Sequence, residues 1–498
     1  MLFCEVLKKI NINYEVIANN SNIDVSDIVL SSKEANDKTI FASIKGFKTD
    51  GHKFINDCYL KGIKNFLIED DSFITDDMKK DSTIIKVTDT REGLGLISNV
   101  LNDFSYNKLK MIGITGTKGK TTVSTLTYKF LKNKFSTSFF STVKNIVGGI
   151  ETPSERTTME ANKLQGLLKK SLQQKEECSI VEVSSHAVTL KRVIGINWDI
   201  GIFTTFSRDH LDLYGTMEKY FDAKLDFFRS LNDSTKKNKI AIINMDDPKG
   251  RDVLEVLNES VKKIKVGSFK DCDYFIKKYS STNDGLEIEI ETNKNNFKLK
   301  TPMRGVFNVN NISLAFACAD LLGVDFSFIQ NELSNCYGVE GRFEIVITKP
   351  FTVIVDYAHT PDSLEKILKE ARIISKNRVI SIFGCTGDRD KEKRPIMGEI
   401  ASLNSDFTYI TNDDTYTEDP NDIATSVESG FKTKNYKIIL DRKEAITDAL
   451  TYAKEGDVII VAGMGHEKFQ ILNNVSVPYN DKDTILEVYK NINIITQI

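Results

Sequence analysis

No C-x-x-C pair occurs among the seven cysteines (4, 58, 178, 272, 318, 336 and 385), and no two of them have zinc-finger spacing. A disulfide framework and a structural zinc site are thereby excluded, and the thiols fit a reducing compartment. No apolar run approaches the about 20 residues of a membrane-spanning helix. An excess of one charge is also missing. Lys+Arg 67 against Asp+Glu 70 leaves a net −3, which excludes a broadly basic nucleic-acid surface but not a local basic pocket. The start of the chain has neither a basic segment nor a small-residue cleavage site. Leu2, Phe3, Val6, Leu7 and Ile10 recur at helical spacing, so this stretch predicts a short amphipathic helix and not a signal peptide. The expectation is a cytoplasmic monomer that engages neither nucleic acid nor membrane. Low-complexity linkers and internal repeats are absent from the sequence.

What is present is an ordinary globular composition, 40% hydrophobic and 28% charged over 498 residues, enough for about three domains, each with its own core. Thr39–Ile44 and Asn65–Ile68 predict strands joined through the turn chemistry of Gly46 and Asp50-Gly51-His52. Leu109–Thr115 predicts a buried strand, followed by a glycine-rich loop and a helix from about Lys120. Further apolar runs at Ser179–Val183, Asp199–Thr204 and Lys239–Asn244 are separated by helical stretches, Glu160–Gln174 and Met217–Leu231 among them. Alternating strands and helices mean a mostly parallel sheet covered on both faces. From Tyr274 to Leu299 the pattern turns antiparallel, with strict alternation at Leu286–Glu291 and a turn at Asn283-Asp284-Gly285. From about residue 340 a second, doubly wound α/β pattern begins, with strands at Thr352–Val355, Val379–Phe383, Phe407–Thr411, Lys437–Leu440 and Val458–Ala462.

The strongest chemical signal is Gly116-Thr117-Lys118-Gly119-Lys120-Thr121-Thr122, between a strand and a helix. Loop and helix N–H groups there can face an anion. Lys120 would reach the β- and γ-phosphates of a nucleotide, and the Thr121 hydroxyl would meet Mg²⁺. The general G-x-x-x-x-G-K-[ST] spacing is broken at its first position, where Ile114 stands. Glu182-Val183-Ser184-Ser185-His186 and Arg208-Asp209-His210-Leu211-Asp212 follow strand ends, where a carboxylate can hold a metal or merely cap a helix. The five histidines (52, 186, 210, 359, 466) all fall in turn-rich or strand-end segments. Asp356–Pro361, Gly387–Pro395 and Gly463–Glu467 follow strands of the last third, so a polar cleft at one sheet edge is expected.

In these residues the sequence resembles the Mur ligase family, and within it the type that adds the third residue to the muramyl peptide. The likeness runs from about Ser31 to about Asp483 and includes a phosphate loop that lacks the first glycine in the family too. It is carried by Gly113–Thr122, Thr157-Thr158-Met159-Glu160, Glu182–Ala187 with Arg192, Ser207–Asp212, Phe307–Asn311, Gly341–Glu344, Asp356–Pro361 and Gly384–Pro395. The resemblance implies three domains: 1–107 for a uridine nucleotide, 108–337 a central P-loop ATPase with a mostly parallel sheet, and 338–498 a Rossmann-like amino-acid domain. It implies ATP and two Mg²⁺ ions, with Lys120, Lys224 and His210 as catalytic groups. Thr121, Glu182, His210 and a CO₂-carbamylated Lys224 are the implied metal ligands; the residues alone would make Lys224 an unremarkable helix-surface lysine. Gly116, Thr117, Lys118, Gly119, Lys120, Thr121, Thr122, Asn308, Asn311, Arg342 and Asp356 are implied for the nucleotide. Thr157, Thr158, Ser184 and Arg192 are implied for UDP-N-acetylmuramoyl-L-alanyl-D-glutamate, and Arg389, Asp413, Asp414, Tyr416, Gly463 and Glu467 for the incoming amino acid. The implied reaction is amide ligation through an acyl phosphate in peptidoglycan precursor synthesis.

Three positions depart from the family pattern. The D-N-P-R of members that add meso-diaminopimelate reads Asp413-Asp414-Thr415-Tyr416, so the arginine that would fork onto a distal carboxylate is a tyrosine. Met464 stands where G-K-G-H-E has lysine, and Ser31-Ser32-Lys33 where D-S-R meets uridine. The expected acceptor is therefore a diamino acid without a distal carboxylate, L-lysine first, whose ammonium would meet Asp413, Asp414 or Glu467. The alternatives are meso-diaminopimelate, a paralogue with another acceptor such as a folylpolyglutamate-type ligase, and a P-loop regulatory module without ligation.

Overall fold

The computed structural model describes residues 1–495 except 47, 48, 283 and 284; the side chains of Asp212 and of 493–495 also fall outside it. Among the described residues the strands form four sheets. The first orders Tyr14–Asn19, Thr83–Val87, Asn65–Ile68, Thr39–Ala42 and Asp27–Val29, parallel except for the first pair. The expected N-terminal helix forms over Phe3–Leu7 and buries Phe3, Val6 and Leu7. His52, fully covered, ties strand ends together. Its Nε2 accepts the N–H groups of Glu69 (3.0 Å) and Asp70 (3.2 Å), so its Nδ1–H must be the one donated to Asp50 (2.7 Å).

An eleven-stranded sheet forms the centre. Seven strands run parallel, in the spatial order Tyr274–Thr282, Val261–Gly267, Lys239–Asn244, Ile200–Phe203, Lys110–Thr115, Cys178–Glu182 and Thr137–Phe140. The antiparallel extension is present as expected: Gly285–Glu291 alternates buried and half-buried residues between Tyr274–Thr282 and Asn296–Thr301. Asn283 and Asp284 of its expected turn lie outside the described residues. At the opposite edge Lys144–Val147 and Ile150–Pro153 add antiparallel strands that the sequence pattern does not announce. Helices Lys120–Leu131 and Phe307–Leu321 pack on one face against Ile112, Ile114, Ile180 and Ile202. On the other face Trp198, Phe227 and Phe228 meet Met111, Val181 and Phe203.

The last sheet orders Glu344–Ile347, Thr352–Asp356, Val458–Ala462, Val379–Phe383, Phe407–Ile410 and Tyr436–Ile438, with the first strand antiparallel to the rest. A separate hairpin, Phe469–Leu472 with Val475–Pro478, lies beyond it. Beneath the strand ends, the fully buried Arg442 forks onto Asp481 (2.8 and 2.9 Å) and donates to the carbonyls of Ala462 (2.8 Å) and Asn412 (3.3 Å). One guanidinium thus holds two loops that project from the sheet edge. Arg442→Met leaves Asp481 buried without its ion partner and should cost about 3–5 kcal/mol. Denaturant unfolding of the variant checks this; a loss under about 1 kcal/mol would show that the pair is not needed.

Candidate active site

The turn after Lys110–Thr115 is held by the next strand end. Thr204 Oγ1 donates to the Lys118 carbonyl (2.6 Å), the Thr117 N–H donates to the Thr205 carbonyl (2.6 Å), and Thr117 Oγ1 meets the Tyr220 hydroxyl (3.0 Å). Gly116 has φ +148°, and a Cβ on it would collide with Thr204 Oγ1. Gly119 has φ +84°, and a Cβ there would strike Asn311 Oδ1, which is oriented by the hydrogen bond that Asn311 Nδ2 donates to Asn308 Oδ1 (3.0 Å). Gly119 is the N-cap of Lys120–Leu131 and supplies no side-chain cap, so the first N–H groups of that helix are left for an anion. Thr121 and Thr122 lie in its first turn.

Two lysine amino groups converge on one carbonyl. Lys120 Nζ donates to Gly116 O and Thr117 O (3.0 Å each), and Lys224 Nζ donates to the same Gly116 O (2.9 Å). Burial pushes Lys120 down to about 8. Burial, then the neighbouring Lys120, holds Lys224 well below the ordinary lysine range. Lys224 is not the helix-surface residue expected: it is 1% exposed and packs over the Tyr220 ring (4.5 Å). It sits on the inward stripe of Met217–Asp233 with Tyr220, Phe227, Phe228 and Leu231.

Glu182, fully buried, ends its strand facing the same turn. It accepts Thr121 Oγ1 (3.1 Å), Ser124 Oγ (3.1 Å) and Thr142 Oγ1 (2.9 Å). One carboxylate beside one hydroxyl is the donor set a phosphate-bound Mg²⁺ asks of a protein, so these residues fit that ion. His210 stands at the strand end after Ile200–Phe203. It is a left-handed residue (φ 53°) whose ring stands edge-on to His186 at 4.6 Å and whose neighbour is Asp209. Among the described residues no three His, Cys, Asp or Glu side chains converge on one metal-sized point.

Thr158 Oγ1 donates to the Glu182 carbonyl (2.7 Å) and accepts the Ser184 N–H (3.1 Å). Arg192 donates to the Thr158 carbonyl (3.1 Å) and pairs with Glu160 (2.9 Å), and Thr157 is bonded by Thr142 (3.2 Å). These four expected substrate residues therefore form one shelf beside Glu182. Arg342 lies over the Tyr357 ring (4.4 Å), with a guanidinium nitrogen 3.5 Å from Thr121 Oγ1. Asp356 accepts the Phe343 N–H (2.7 Å); burial raises its carboxyl, and Arg342 opposes the shift.

A cavity of about 660 Å³ opens next to the turn, the size of a small-ligand site. The three expected C-terminal loops line it, together with Asp209, His210 and the hairpin residues Phe469 and Ile471. Asp413 and Asp414 are in it but already bonded: Asp413 to Thr386 (3.2 Å) and the Asp414 N–H (2.7 Å), Asp414 to the Ile471 N–H (2.7 Å). Burial raises both carboxyls. Tyr416 has φ +48° and lies near Arg389. Gly463 (φ +113°) approaches Asp413 so closely that a Cβ would collide with it. Burial raises Glu467, which lies near Tyr357. Met464 and Tyr416 line the same cavity. His359 donates Nδ1–H to the Tyr357 carbonyl (2.8 Å), and burial with Lys118 nearby pushes it down to about 3, so it stays neutral.

The sequence pattern of the Mur ligase middle domain matches residues 114–319, and that of the Mur ligase, glutamate ligase domain matches 341–465. The UDP-N-acetylmuramoyl-L-alanyl-D-glutamate--2,6-diaminopimelate ligase of Clostridium perfringens is 38% identical over 98% of this chain and 99% of its own. The chain belongs to the Mur ligase family. The enzyme of the same description from Clostridioides difficile is 36% identical over 94% of this chain and 95% of its own. A solved structure of such a ligase matches with TM-score 0.65 and 26% identity, covering 94% of this chain and 95% of that one. The MurF ligase of Thermotoga maritima in complex with ADP shares the fold, with TM-score 0.61 at 21% identity over 94% of this chain and 97% of its own. The chain is thus an ATP-dependent, ADP-forming amide ligase with a three-domain α/β fold.

Ser124, Thr142, Thr204 and Tyr220 are site residues that the sequence reading passes over. Ser124 had a signal, one helical turn beyond Lys120 on the same face. Thr142 had none, because it follows a four-residue strand without a periodic pattern. Gly116→Ala should leave the sheet folded but displace the turn, and weaken ATP binding at least about tenfold by calorimetry. Unchanged affinity would show that the turn has room to spare.

Proposed function

We propose that the chain joins a diamino acid to the D-glutamyl carboxylate of UDP-N-acetylmuramoyl-L-alanyl-D-glutamate, cleaving ATP to ADP and phosphate, in peptidoglycan precursor synthesis. The observation that carries this reading is the anion-seeking turn 116–122 directly beside a polar cavity lined by loops of the C-terminal sheet. In this reading residues 1–107 take the uridine nucleotide, 108–337 the ATP and 338–498 the amino acid. Thr157, Thr158, Ser184 and Arg192 hold the muramyl peptide, and Asn308, Asn311, Arg342 and Asp356 the nucleotide.

Lys120 leaves the Gly116 and Thr117 carbonyls for phosphoryl oxygens, and the approaching γ-carboxylate of D-glutamate meets the γ-phosphorus to form an acyl phosphate. Mg²⁺, when bound, supplies charge screening between these anions, with Thr121 and Glu182 holding one ion and His210 with Lys224 a second. Lys224 enters that role as a carbamate. Its suppressed basicity leaves a neutral amine able to attack CO₂. The N–C bond forms, one proton leaves to water, and a neutral amine beside Lys120 becomes an anion attracted to it. The amine of the incoming amino acid then displaces phosphate from the acyl group.

Two acceptors compete for the C-terminal cavity. The relatives described above are named for 2,6-diaminopimelate, and Arg389 beside Tyr416 can offer a guanidinium to a distal carboxylate. The preference for L-lysine expected from the sequence has no support in those names. It keeps one specific observation, the uncharged Tyr416 at the family's arginine position. We take diaminopimelate as the first reading and L-lysine as the second.

Phosphate release should require the muramyl dipeptide nucleotide and the amino acid together. Release with ATP alone would defeat the ligase reading for these substrates. In a panel of acceptors, diaminopimelate should exceed lysine and ornithine in kcat/KM; the reverse order would transfer the assignment to lysine. Lys224→Ala should lower kcat at least about a hundredfold, with partial rescue by a small added carboxylate, whereas full activity would remove the carbamate.

A further inference from the structure

The loop's other lysine, Lys118, does not face the phosphate turn. Its backbone leaves it little choice: the N–H donates to Thr205 Oγ1 (3.3 Å), and the carbonyl accepts Thr204 Oγ1 (2.6 Å) and Thr205 Oγ1 (3.2 Å). With the main chain pinned, the side chain extends across to the C-terminal domain. Nζ donates to Thr360 Oγ1 (3.2 Å), and its ion partner is Asp209 of the central domain at 3.7 Å. Thr360 is no loose surface hydroxyl. It is the N-cap of Pro361–Ile374 and closes a capping box with Ser363 (2.7 Å between hydroxyls). Thr360, Asp209 and His359 all line the 660 Å³ cavity, so the contact ties the phosphate turn to the cavity wall.

A cation here is unfavourable on two counts: it abuts a helix N-terminus and lies near Arg342. Asp209, mostly covered, is the carboxylate that faces it across 3.7 Å. A charge kept in such a place, with a counter-ion on one domain and a hydroxyl on the other, is suited to setting the distance between the two domains.

We propose that Lys118 is a positioning residue that links the phosphate turn to the first helix of the C-terminal domain and thereby fixes how close the acceptor amine comes to the activated carboxyl. This rests on the ligase reading above. It differs from the expectation for this residue, which placed Lys118 on the nucleotide.

The test is steady-state kinetics of full-length Lys118→Met and Thr360→Val, with ATP binding measured separately by calorimetry. Each variant should raise the KM for the amino acid about tenfold or more while ATP affinity stays within about twofold. In a double-mutant cycle the two changes should be far from additive, because both remove one contact. Lys118→Arg, which can still donate to Thr360, should recover part of the loss. If Lys118→Met instead weakens ATP binding tenfold with the amino-acid KM unchanged, Lys118 is a nucleotide ligand and the inference falls. Additive effects in the cycle also overturn it. Failure of the wild type to turn over the muramyl substrate would strike the ligase reading, a separate outcome visible before any variant is made.

Discussion

One turn of backbone is surrounded by cations that its own carboxylates do not balance. Lys120 and Lys224 share the Gly116 carbonyl, Lys118 extends from the same turn, and Arg342 approaches Thr121 from the C-terminal domain. Against them stand Glu182, wrapped in hydroxyls, and Asp209. Like charges held this close within a covered site repel strongly, and the strain has two releases. One ammonium gives up its proton, or an anion arrives. Burial is the main cause of the depressed basicity of Lys120 and Lys224, with Lys120 adding to it at Lys224; a nucleotide's phosphates would provide the second release.

The fold makes this crowding possible. The parallel strands Lys110–Thr115, Ile200–Phe203 and Cys178–Glu182 end side by side, so the turn, Thr204 and Glu182 share one edge. Lys224 comes from below on a helix whose other inward residues are aromatic or aliphatic, so the lysine is carried into the interior by packing that has nothing to do with its charge. At the same edge the C-terminal sheet contributes its own strand-end loops, pinned from beneath by Arg442. Phosphate turn and C-terminal cavity are thus two strand edges facing one another, the usual place for ligands in such sheets.

Much of this was legible in the residues. Lys239–Asn244, Val379–Phe383 and Val458–Ala462 are strands over the predicted residues, because each is a continuous apolar run buried on both faces. The helix at Lys120 starts where the glycine loop predicts. The edge strands near 137–153 and the hairpin near 469–478 were not legible: they are short, and Ile150–Pro153 and Val475–Pro478 are exposed along their length. Asp413 and Asp414 were read as free acids for an ammonium, and nothing in sequence says that backbone N–H groups already use them. Lys224 carried a signal that went unread, since it falls in register with Tyr220, Phe227 and Leu231 on an otherwise apolar stripe.

The state of the Lys224 amine is the point on which the electrostatics of the turn depend. Carbon NMR of the protein equilibrated with isotopically labelled bicarbonate observes it directly. A buried Lys224 of lowered basicity should give one carbamate resonance that exchanges with the added label and disappears in Lys224→Met. A spectrum without that resonance, with Lys224 titrating as an ordinary surface lysine, would contradict the charge balance described for this site.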